Sequence, residues 1–197
     1  MTKQAIRKQY KAIRNAIPIE ARAAKSAAIS RAVMSSAIYA EADWLYAFLS
    51  FGSEAETRGI IEDALARGKH VAVPVTGANG AMEFVVLTSF DELAENAYGV
   101  PEPVNGEAVF PSGAEKVLML APGLVFGRDG FRVGYGKGFY DRYLCRVREA
   151  NPQWREVFTC IGIGFEEQLA DTVLHDAYDI ALDGVWTDKS LISFEHI

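Results

Sequence analysis

Three consecutive segments in the first half of the chain predict a strand, a helix and a second strand. The first, WLYAFLSFG at Trp44 to Gly52, is a short apolar run closed by turn residues, which is typical of a strand buried on both faces. Arg58 to Arg67 has helical periodicity, with Thr57 at the N-cap position and Gly68 after the end, and the strand-like run HVAVPV begins at His70. Because such a unit joins two parallel strands by a right-handed crossover, we predict an α/β fold.

The flanking segments add further helices and strands. An amphipathic helix is predicted around Ile6 to Ile17, with a basic stripe formed by Lys3, Arg7, Lys11 and Arg14. Pro18 begins a second helix that runs through Ala21 to Ser36. Three more strands and one more helix are predicted, at Met82 to Leu87, Val117 to Ala121, Cys160 to Gly164 and about Gly138 to Glu149. With 197 residues, half of them hydrophobic, we expect a single three-layer domain over 1–197, with a largely parallel central sheet flanked by helices.

Charge and composition exclude several classes of function. The chain has 20 Lys and Arg against 26 Asp and Glu, so its net charge of -6 repels nucleic acid. Its apolar runs are far shorter than the ~20 residues that span a bilayer, and its N-terminal segment has no long apolar core. Two cysteines are too few for a disulfide framework, and the three histidines have no zinc-site spacing. We therefore expect a cytoplasmic protein without zinc or a membrane partner.

The stretch from Ser89 to Ser112 shows no strong periodicity. Connections of this length in a compact domain are usually functional or disordered. Tyr98 stands beside Gly99 in this stretch and is the residue most suggestive of a binding role.

A glycine-rich segment carries the strongest functional signal. In RVGYGKGFYDR, Gly134, Gly136 and Gly138 alternate between a predicted strand and a predicted helix. Glycines let a backbone approach phosphate closely, and successive N–H groups together with a helix N-terminus attract an anion. The spacing matches neither a Walker sequence nor a dinucleotide fingerprint, so a nicotinamide cofactor is not expected. Tight turns alone are the alternative explanation of these glycines.

Charged side chains flank the same glycines. Arg132 and Lys137 add positive charge, and Asp141 falls in the first turn of the predicted helix. A carboxylate there either stabilises the helix N-terminus or meets a magnesium ion on a bound phosphate, and both interpretations stay open.

Taken together, these motifs resemble those of the 5-formyltetrahydrofolate cyclo-ligase family over nearly the whole chain. The resemblance rests on KQAIR with Lys3 and Arg7, on LSFGSEAET from Leu49, on YGVPEP from Tyr98, and on PGLVFGRDGFRVGYGKGFYDR from Pro122. It implies the fold of that family and no obligate protein partner.

The resemblance also implies a reaction and its substrates. A family member converts 5-formyltetrahydrofolate and ATP into 5,10-methenyltetrahydrofolate, ADP and phosphate, with Mg²⁺ required. The formyl oxygen takes the γ-phosphoryl group, N10 attacks the activated carbon, and phosphate leaves as the ring closes. The protein then acts mainly by positioning and charge stabilisation.

Matching positions assign the nucleotide site by resemblance. Arg132, Lys137 and Tyr140 are implied as catalytic, with Arg132 the first choice for stabilising the transferring phosphoryl group. The implied ATP contacts are Lys3, Arg7, Arg132, Gly134, Tyr135, Gly136, Lys137, Gly138, Phe139 and Tyr140.

The same comparison of motifs implies metal and folate positions. Asp141 and Asp179 match the magnesium carboxylates, and Asp176 and Asp183 stay open as alternatives to the second. The implied folate contacts are Leu49, Phe51, Glu54 and Tyr98.

Three positions depart from the usual family pattern, and two other functions stay open. Gly127 stands where the family commonly has Asp, Val133 replaces the more usual Leu, and Tyr178 stands where His often precedes the second carboxylate. Asp129 is a candidate for taking over the role of the missing carboxylate.

A phosphotransferase or sugar-phosphate enzyme on a related scaffold, or a non-catalytic nucleotide- or folate-binding module, would also use the glycine-rich segment.

Overall fold

The computed structural model describes residues 2–77, 81–91, 93–96, 99, 101–111 and 113–194. Its α-helices are α1 (Lys3–Ala16), α2 (Ile19–Met34), α3 (Ala37–Glu41), α4 (Arg58–Ala66) and α5 (Phe139–Ala150). Its first strands are β1 (Trp44–Ala47), β2 (His70–Thr76), β3 (Met82–Val86), β4 (Leu93–Glu95), β5 (Pro101–Pro103) and β6 (Ala108–Val109). The others are β7 (Val117–Ala121), β8 (Val125–Gly127), β9 (Arg132–Val133), β10 (Phe158–Ile163), β11 (Leu169–Ala170), β12 (Gly184–Trp186) and β13 (Leu191–Ser193).

The central sheet has the order β13-β12-β10-β7-β1-β2-β3-β6. From β12 to β2 the neighbouring strands are parallel, and the pairs β12–β13, β2–β3 and β3–β6 are antiparallel. Trp44 pairs with His70, so β1, α4 and β2 form the predicted parallel unit. The prediction of a largely parallel sheet is confirmed.

Alternating residues of the strands bury two separate cores. On one face, α2 and α4 contribute Ile29, Val33, Ile60 and Ile61 against the inner residues of β1, β2, β7 and β10. On the other face, α5 packs Leu144 and its neighbours against the opposite residues of the same strands. Helices therefore cover both faces of the sheet, which confirms the three-layer arrangement.

A small sheet beside the main one carries α1. Its strands have the order β11-β8-β9, and Ile6 of α1 packs on Val125 and Val133 of that sheet. The basic stripe of α1 consequently lies beside the segment that leaves β9. Within the described ranges, no helix is long and apolar enough to cross a bilayer.

One sequence prediction about local structure was wrong, and the predicted N-cap of α4 is confirmed although its side chain bonds elsewhere. β1 ends at Ala47 rather than at Gly52, because the residues after it leave the sheet and bury Phe48 and Leu49 in a loop. Thr57 stands at the N-cap of α4 but does not cap it with its side chain, since its hydroxyl donates to the Phe48 carbonyl at 2.6 Å. This bond closes the loop formed by residues 48–57, called the β1 loop below.

Short strands occupy part of the stretch that lacked periodicity. β4 pairs antiparallel with β5, and β6 extends the central sheet beyond β3. Tyr98, implied by resemblance to contact the folate, lies outside the described residues.

Candidate functional site

A cavity of about 520 Å³ opens where β1 and β7 end. The two strands are parallel, so the β1 loop and the chain after β7 leave the sheet at the same edge. Every site residue implied by the resemblance lines this cavity, apart from Tyr98, which the structure does not describe. The fold therefore collects segments that are far apart in the sequence.

The glycine loop, residues 134–138, forms one wall of the cavity. It connects β9 to α5, as the sequence predicts. Gly136 and Gly138 have φ angles of 97° and 64°, a left-handed backbone that glycine adopts without strain. The Arg7 guanidinium donates through Nε to the Gly134 carbonyl at 3.0 Å, and a Cβ at Gly136 would lie 2.9 Å from Arg7 Cζ. Arg7 and the loop thus fit closely because position 136 has no side chain.

Arg132 and Asp141 form a pair below this loop. Arg132 Nη1 donates to Asp141 Oδ1 at 2.9 Å, and the Arg132 side chain is 4% exposed. The guanidinium carbon also lies 5.6 Å from the centre of the Tyr140 ring. The Ile180 N–H donates to the same Asp141 oxygen at 3.3 Å, which brings the segment containing Asp179 to the first turn of α5.

Lys3 neutralises two further carboxylates at the cavity. Its Nζ donates to Asp176 at 2.7 Å and to Asp179 at 2.6 Å. Burial alone would lower the pKa of Lys3, but hydrogen bonds and attraction from both carboxylates raise it overall. Burial likewise opposes ionisation of Asp179, yet the bonds from Lys3 and the Asp176 N–H lower its pKa. Both groups are therefore charged at neutral pH.

The structure separates the three candidates for a second metal carboxylate. Asp176 and Asp179 line the cavity, whereas Asp183 does not. Asp183 instead pairs with Arg155 and accepts a hydrogen bond from the Cys160 N–H. Asp183 therefore holds neighbouring segments of the fold together and does not face the cavity.

The carboxylates present fit a magnesium ion that is held mostly by substrate and water. Asp141 and Asp179 line the same cavity, and the described part of the chain contains no cluster of three His, Cys, Asp or Glu that would form a complete cage. Mg²⁺ typically binds one or two carboxylates and completes its octahedron with phosphate oxygens and water.

Glu54 in the β1 loop is a buried carboxylate in a second wall of the cavity, which meets the glycine loop at Tyr135. It is 7% exposed; its Oε1 accepts from the Tyr135 hydroxyl at 2.6 Å and its Oε2 from the Phe51 N–H at 3.2 Å. Burial raises the pKa of Glu54, and hydrogen bonds from Tyr135 and Phe51 with the nearby Arg14 charge partly oppose that rise. Leu49 and Phe51 add apolar surface to the same wall.

Tyr140 brings an unsatisfied hydroxyl to the site. Its oxygen is buried and has no hydrogen-bond partner among the described residues. Burial raises the pKa of this phenol, so the hydroxyl is neutral and keeps its proton. A buried polar group without a partner is costly in a folded chain, and a bound ligand would supply the missing bond.

Other cavity residues were not found from the sequence. Pro74, Thr76, Met82, Asn96, Pro101 and Glu102 come from the ends of β2 and β3 and from the chain around β5. Glu102 Oε1 fixes this side by accepting from the Thr76 backbone and hydroxyl, both at 2.9 Å, and from Asn96 at 2.8 Å. The end of β2 is the sequence signal that could have found these residues, because it lies at the same sheet edge as the end of β1.

The unusual Gly127 lies against the carboxylate of Asp129. A Cβ at this position would collide with the Asp129 carboxylate, which accepts from the Phe131 N–H at 3.3 Å and the Val173 N–H at 3.1 Å. Asp129 thus places a carboxylate beside position 127 and ties the β8–β9 turn to the segment leading to Asp176.

The fold and this cavity define an α/β protein in which a glycine-rich loop and a buried carboxylate face one cleft. The family model described as the 5-formyltetrahydrofolate cyclo-ligase family matches residues 1–188. The chain belongs to that family.

Curated relatives and solved structures agree with this assignment. The chain is 30% identical over 201 residues to a probable 5-formyltetrahydrofolate cyclo-ligase of Caenorhabditis elegans, covering 99% of this chain and 97% of the relative. It is also 30% identical to the mouse 5-formyltetrahydrofolate cyclo-ligase, over 95% and 94% of the two chains. The NMR structure of Aquifex aeolicus 5,10-methenyltetrahydrofolate synthetase superposes with a TM-score of 0.82 at 25% identity, covering 100% and 97%. The predicted family and fold are confirmed.

Proposed function

We propose that this protein converts 5-formyltetrahydrofolate and ATP into 5,10-methenyltetrahydrofolate, ADP and phosphate. Family membership supports the reaction. The observation that carries the proposal for this chain is that one cavity joins the glycine loop to the buried Glu54 carboxylate. In this proposal the polyphosphate binds at the glycine loop and the hydrogen-bonding heterocycle at Glu54, with their reactive groups between them.

The glycine loop and the cations around it are assigned to ATP. Lys3 and Arg7 line the cavity beside the loop, Lys137 belongs to the loop, and the N-terminus of α5 follows it. A helix N-terminus and full positive charges both favour phosphate oxygens. We assign Asp141 and Asp179 to Mg²⁺, which when bound adds positive charge against the phosphates.

The β1 loop is assigned to the folate. An ionised Glu54 accepts hydrogen bonds from the amino and ring N–H groups of a pterin, and Leu49 and Phe51 contact its apolar surface. Tyr98 remains assigned to this side by resemblance alone.

The reaction then needs two displacements at atoms held between the walls. The formyl oxygen attacks the γ-phosphorus and the bond to ADP breaks, which leaves the formyl carbon electrophilic. N10 attacks that carbon, the bond from carbon to the phosphorylated oxygen breaks, and the methenyl cation forms as the phosphate leaves with the N10 proton as hydrogen phosphate. Arg132 is assigned to the negative charge on the transferring group, and the Tyr140 hydroxyl to a hydrogen bond with bound substrate.

The cytoplasm is the proposed location of this activity. Cys145 and Cys160 are both unpaired, and burial raises the pKa of the Cys160 thiol to about 12, which suppresses its oxidation. Unpaired thiols suit a reducing compartment.

The test is a coupled measurement of both products. Purified protein is mixed with 5-formyltetrahydrofolate and Mg-ATP, and the absorbance of methenyltetrahydrofolate is followed together with phosphate release. We expect equimolar products that need ATP. Binding of both ligands without turnover would instead identify a non-catalytic binding protein, and phosphate release with sugar acceptors alone would identify a phosphotransferase.

A further inference from the structure

Arg14, a buried arginine, lies behind the cavity and outside the residues assigned above. It stands in the last turn of α1 and is 3% exposed. Its Nη2 donates to the Tyr135 hydroxyl at 2.8 Å, and its Nε donates to Ser53 Oγ at 3.0 Å. Nη1 also lies 3.8 Å from Glu54 Oε1. The sequence shows Arg14 only as one more member of a basic stripe.

The chemistry of these groups fixes the direction of every hydrogen bond. Arginine has donors and no acceptor, so the Tyr135 oxygen must accept from Arg14. The single phenolic proton is then directed to Glu54 Oε1, 2.6 Å away. Ser53 Oγ likewise accepts a hydrogen bond from Arg14, and its hydroxyl donates one to Asn15 Oδ1 at 2.6 Å. Glu54 therefore receives a hydrogen bond that favours its ionised form.

We propose that Arg14 and Tyr135 are positioning residues for the folate, which hold Glu54 as an oriented, acceptor-only carboxylate facing the N–H groups of the pterin. This inference rests on the proposed function. It moves the Tyr135 hydroxyl from the nucleotide, where the family resemblance places it, to the folate. Because Tyr135 belongs to the glycine loop, it also links the position of that loop to the position of Glu54.

The first test removes only the hydroxyl. Tyr135→Phe keeps the ring beside Phe51, whose centre is 5.9 Å away. Loss of a hydrogen bond to a charged group should raise the KM for folate about tenfold, with the KM for ATP within about twofold of wild type. Tyr10→Phe is the matched control, because that tyrosine packs on the small sheet and does not line the cavity, and it should behave as wild type. An increase confined to the KM for ATP, or no change in either constant, would overturn the proposal.

The second test is the pH profile, which a merely structural role would leave unchanged in shape. The groups facing Glu54 are Arg14 from α1, Tyr135 from the glycine loop, Tyr140 from α5 and Glu56 from its own loop. Burial raises the pKa of Glu54 and the Tyr135 bond opposes that rise, so Tyr135→Phe should raise this pKa further. Since the ionised carboxylate binds folate, the acid limb of kcat/KM for folate should move to higher pH. A parallel loss at every pH would contradict the proposal.

A double-mutant cycle tests whether the two residues act through one chain of bonds. Arg14→Lys keeps the charge but not the planar guanidinium fork, and Arg31→Lys on the exposed surface is its control. The combined Arg14→Lys, Tyr135→Phe variant should raise the KM for folate little more than either single change. If the increases in the KM for folate from the two single changes multiply in the double variant, the two residues do not act through one chain of bonds. If Arg14→Lys lowers the melting temperature, the single Tyr135→Phe variant decides whether the positioning role holds.

The failure of this inference differs from the failure of the proposed function. Wild-type protein that neither binds 5-formyltetrahydrofolate nor forms methenyltetrahydrofolate would disprove the function itself. Wild-type turnover with an unchanged KM for folate in Tyr135→Phe would disprove only the positioning role.

Discussion

The two walls of the cavity are built in opposite ways. The β1 loop buries Ser53, Glu54 and Thr57 and satisfies them with protein partners, with Thr57 bonded to Phe48, Ser53 to Asn15 and Glu54 to Tyr135. The glycine loop is exposed over residues 136–138, and arginines hold its carbonyls, Arg7 at Gly134 and Arg142 at Lys137.

This difference suits the chemistry of the proposed ligands. A neutral heterocycle offers weak, directional hydrogen bonds, so its acceptor must be oriented before binding. A polyphosphate carries its own large charge, and an accessible loop among cations suffices to attract it. We therefore expect changes in the β1 loop to affect folate, changes in the glycine loop to affect ATP, and changes between them to affect turnover.

The largest effect should come from Arg132, between the two walls. Arg132→Met should lower kcat about 10²- to 10³-fold with the KM for folate changed less than about threefold, because Arg132 is assigned to the transferring phosphoryl group and not to the folate. Arg148→Met, on the exposed surface of α5, is the control for loss of an arginine. Steady-state kinetics with a melting curve for each variant checks this. A loss expressed mainly in the KM for folate would place Arg132 in the folate wall.

A smaller effect should follow from a change at the proposed metal site. Asp141→Asn should raise the Mg²⁺ concentration for half-maximal rate at least about tenfold, since an amide oxygen binds Mg²⁺ more weakly than a carboxylate. Activity measured across a magnesium titration gives the result, with exposed Asp171→Asn as control. An unchanged magnesium dependence would remove Asp141 from the site. Repeating the titration with Asp179→Asn and Asp176→Asn separates those two carboxylates.

Gly134→Ala should have the smallest effect on the stability of the fold and should still raise the KM for ATP. A Cβ at Gly134 would have open space around it, so Gly134→Ala should leave the free energy of unfolding within about 0.5 kcal/mol of wild type. The same methyl group should obstruct close approach of a phosphate and raise the KM for ATP about tenfold.

Chemical unfolding and steady-state kinetics on this one variant separate the two roles of the glycine. Gly136→Ala serves as comparison, because its φ of 97° and the nearby Arg7 make it destabilising even without ligand. An unchanged KM for ATP in Gly134→Ala would show that this glycine does not mark the phosphate site.

The parts of this arrangement that could be predicted from the sequence are those whose signal is local. α1 and α2 are long enough to show helical spacing, β7 is a continuous apolar run, and the glycine loop is one contiguous segment between a strand and a helix. The carboxylate at Asp141 could be placed because it belongs to the same segment.

The remaining parts depend on contacts between distant segments. β9 and β11 have two residues each, too few for an alternating pattern, and they form only because β8 lies between them. Arg14 and the exposed Lys11 belong to the same basic stripe, yet only the packing of α1 against the glycine loop buries Arg14. Asp176 and Asp183 are equivalent candidates in the sequence and occupy different surroundings in the fold.

The most direct test of the central claim is a crystal structure with 5-formyltetrahydrofolate, Mg²⁺ and a non-hydrolysable ATP analogue. We predict the triphosphate on residues 134–138, the pterin hydrogen-bonded to Glu54, and the formyl oxygen beside the γ-phosphate near Arg132. A pterin bound away from Glu54, or two ligands whose reactive groups do not meet, would contradict it.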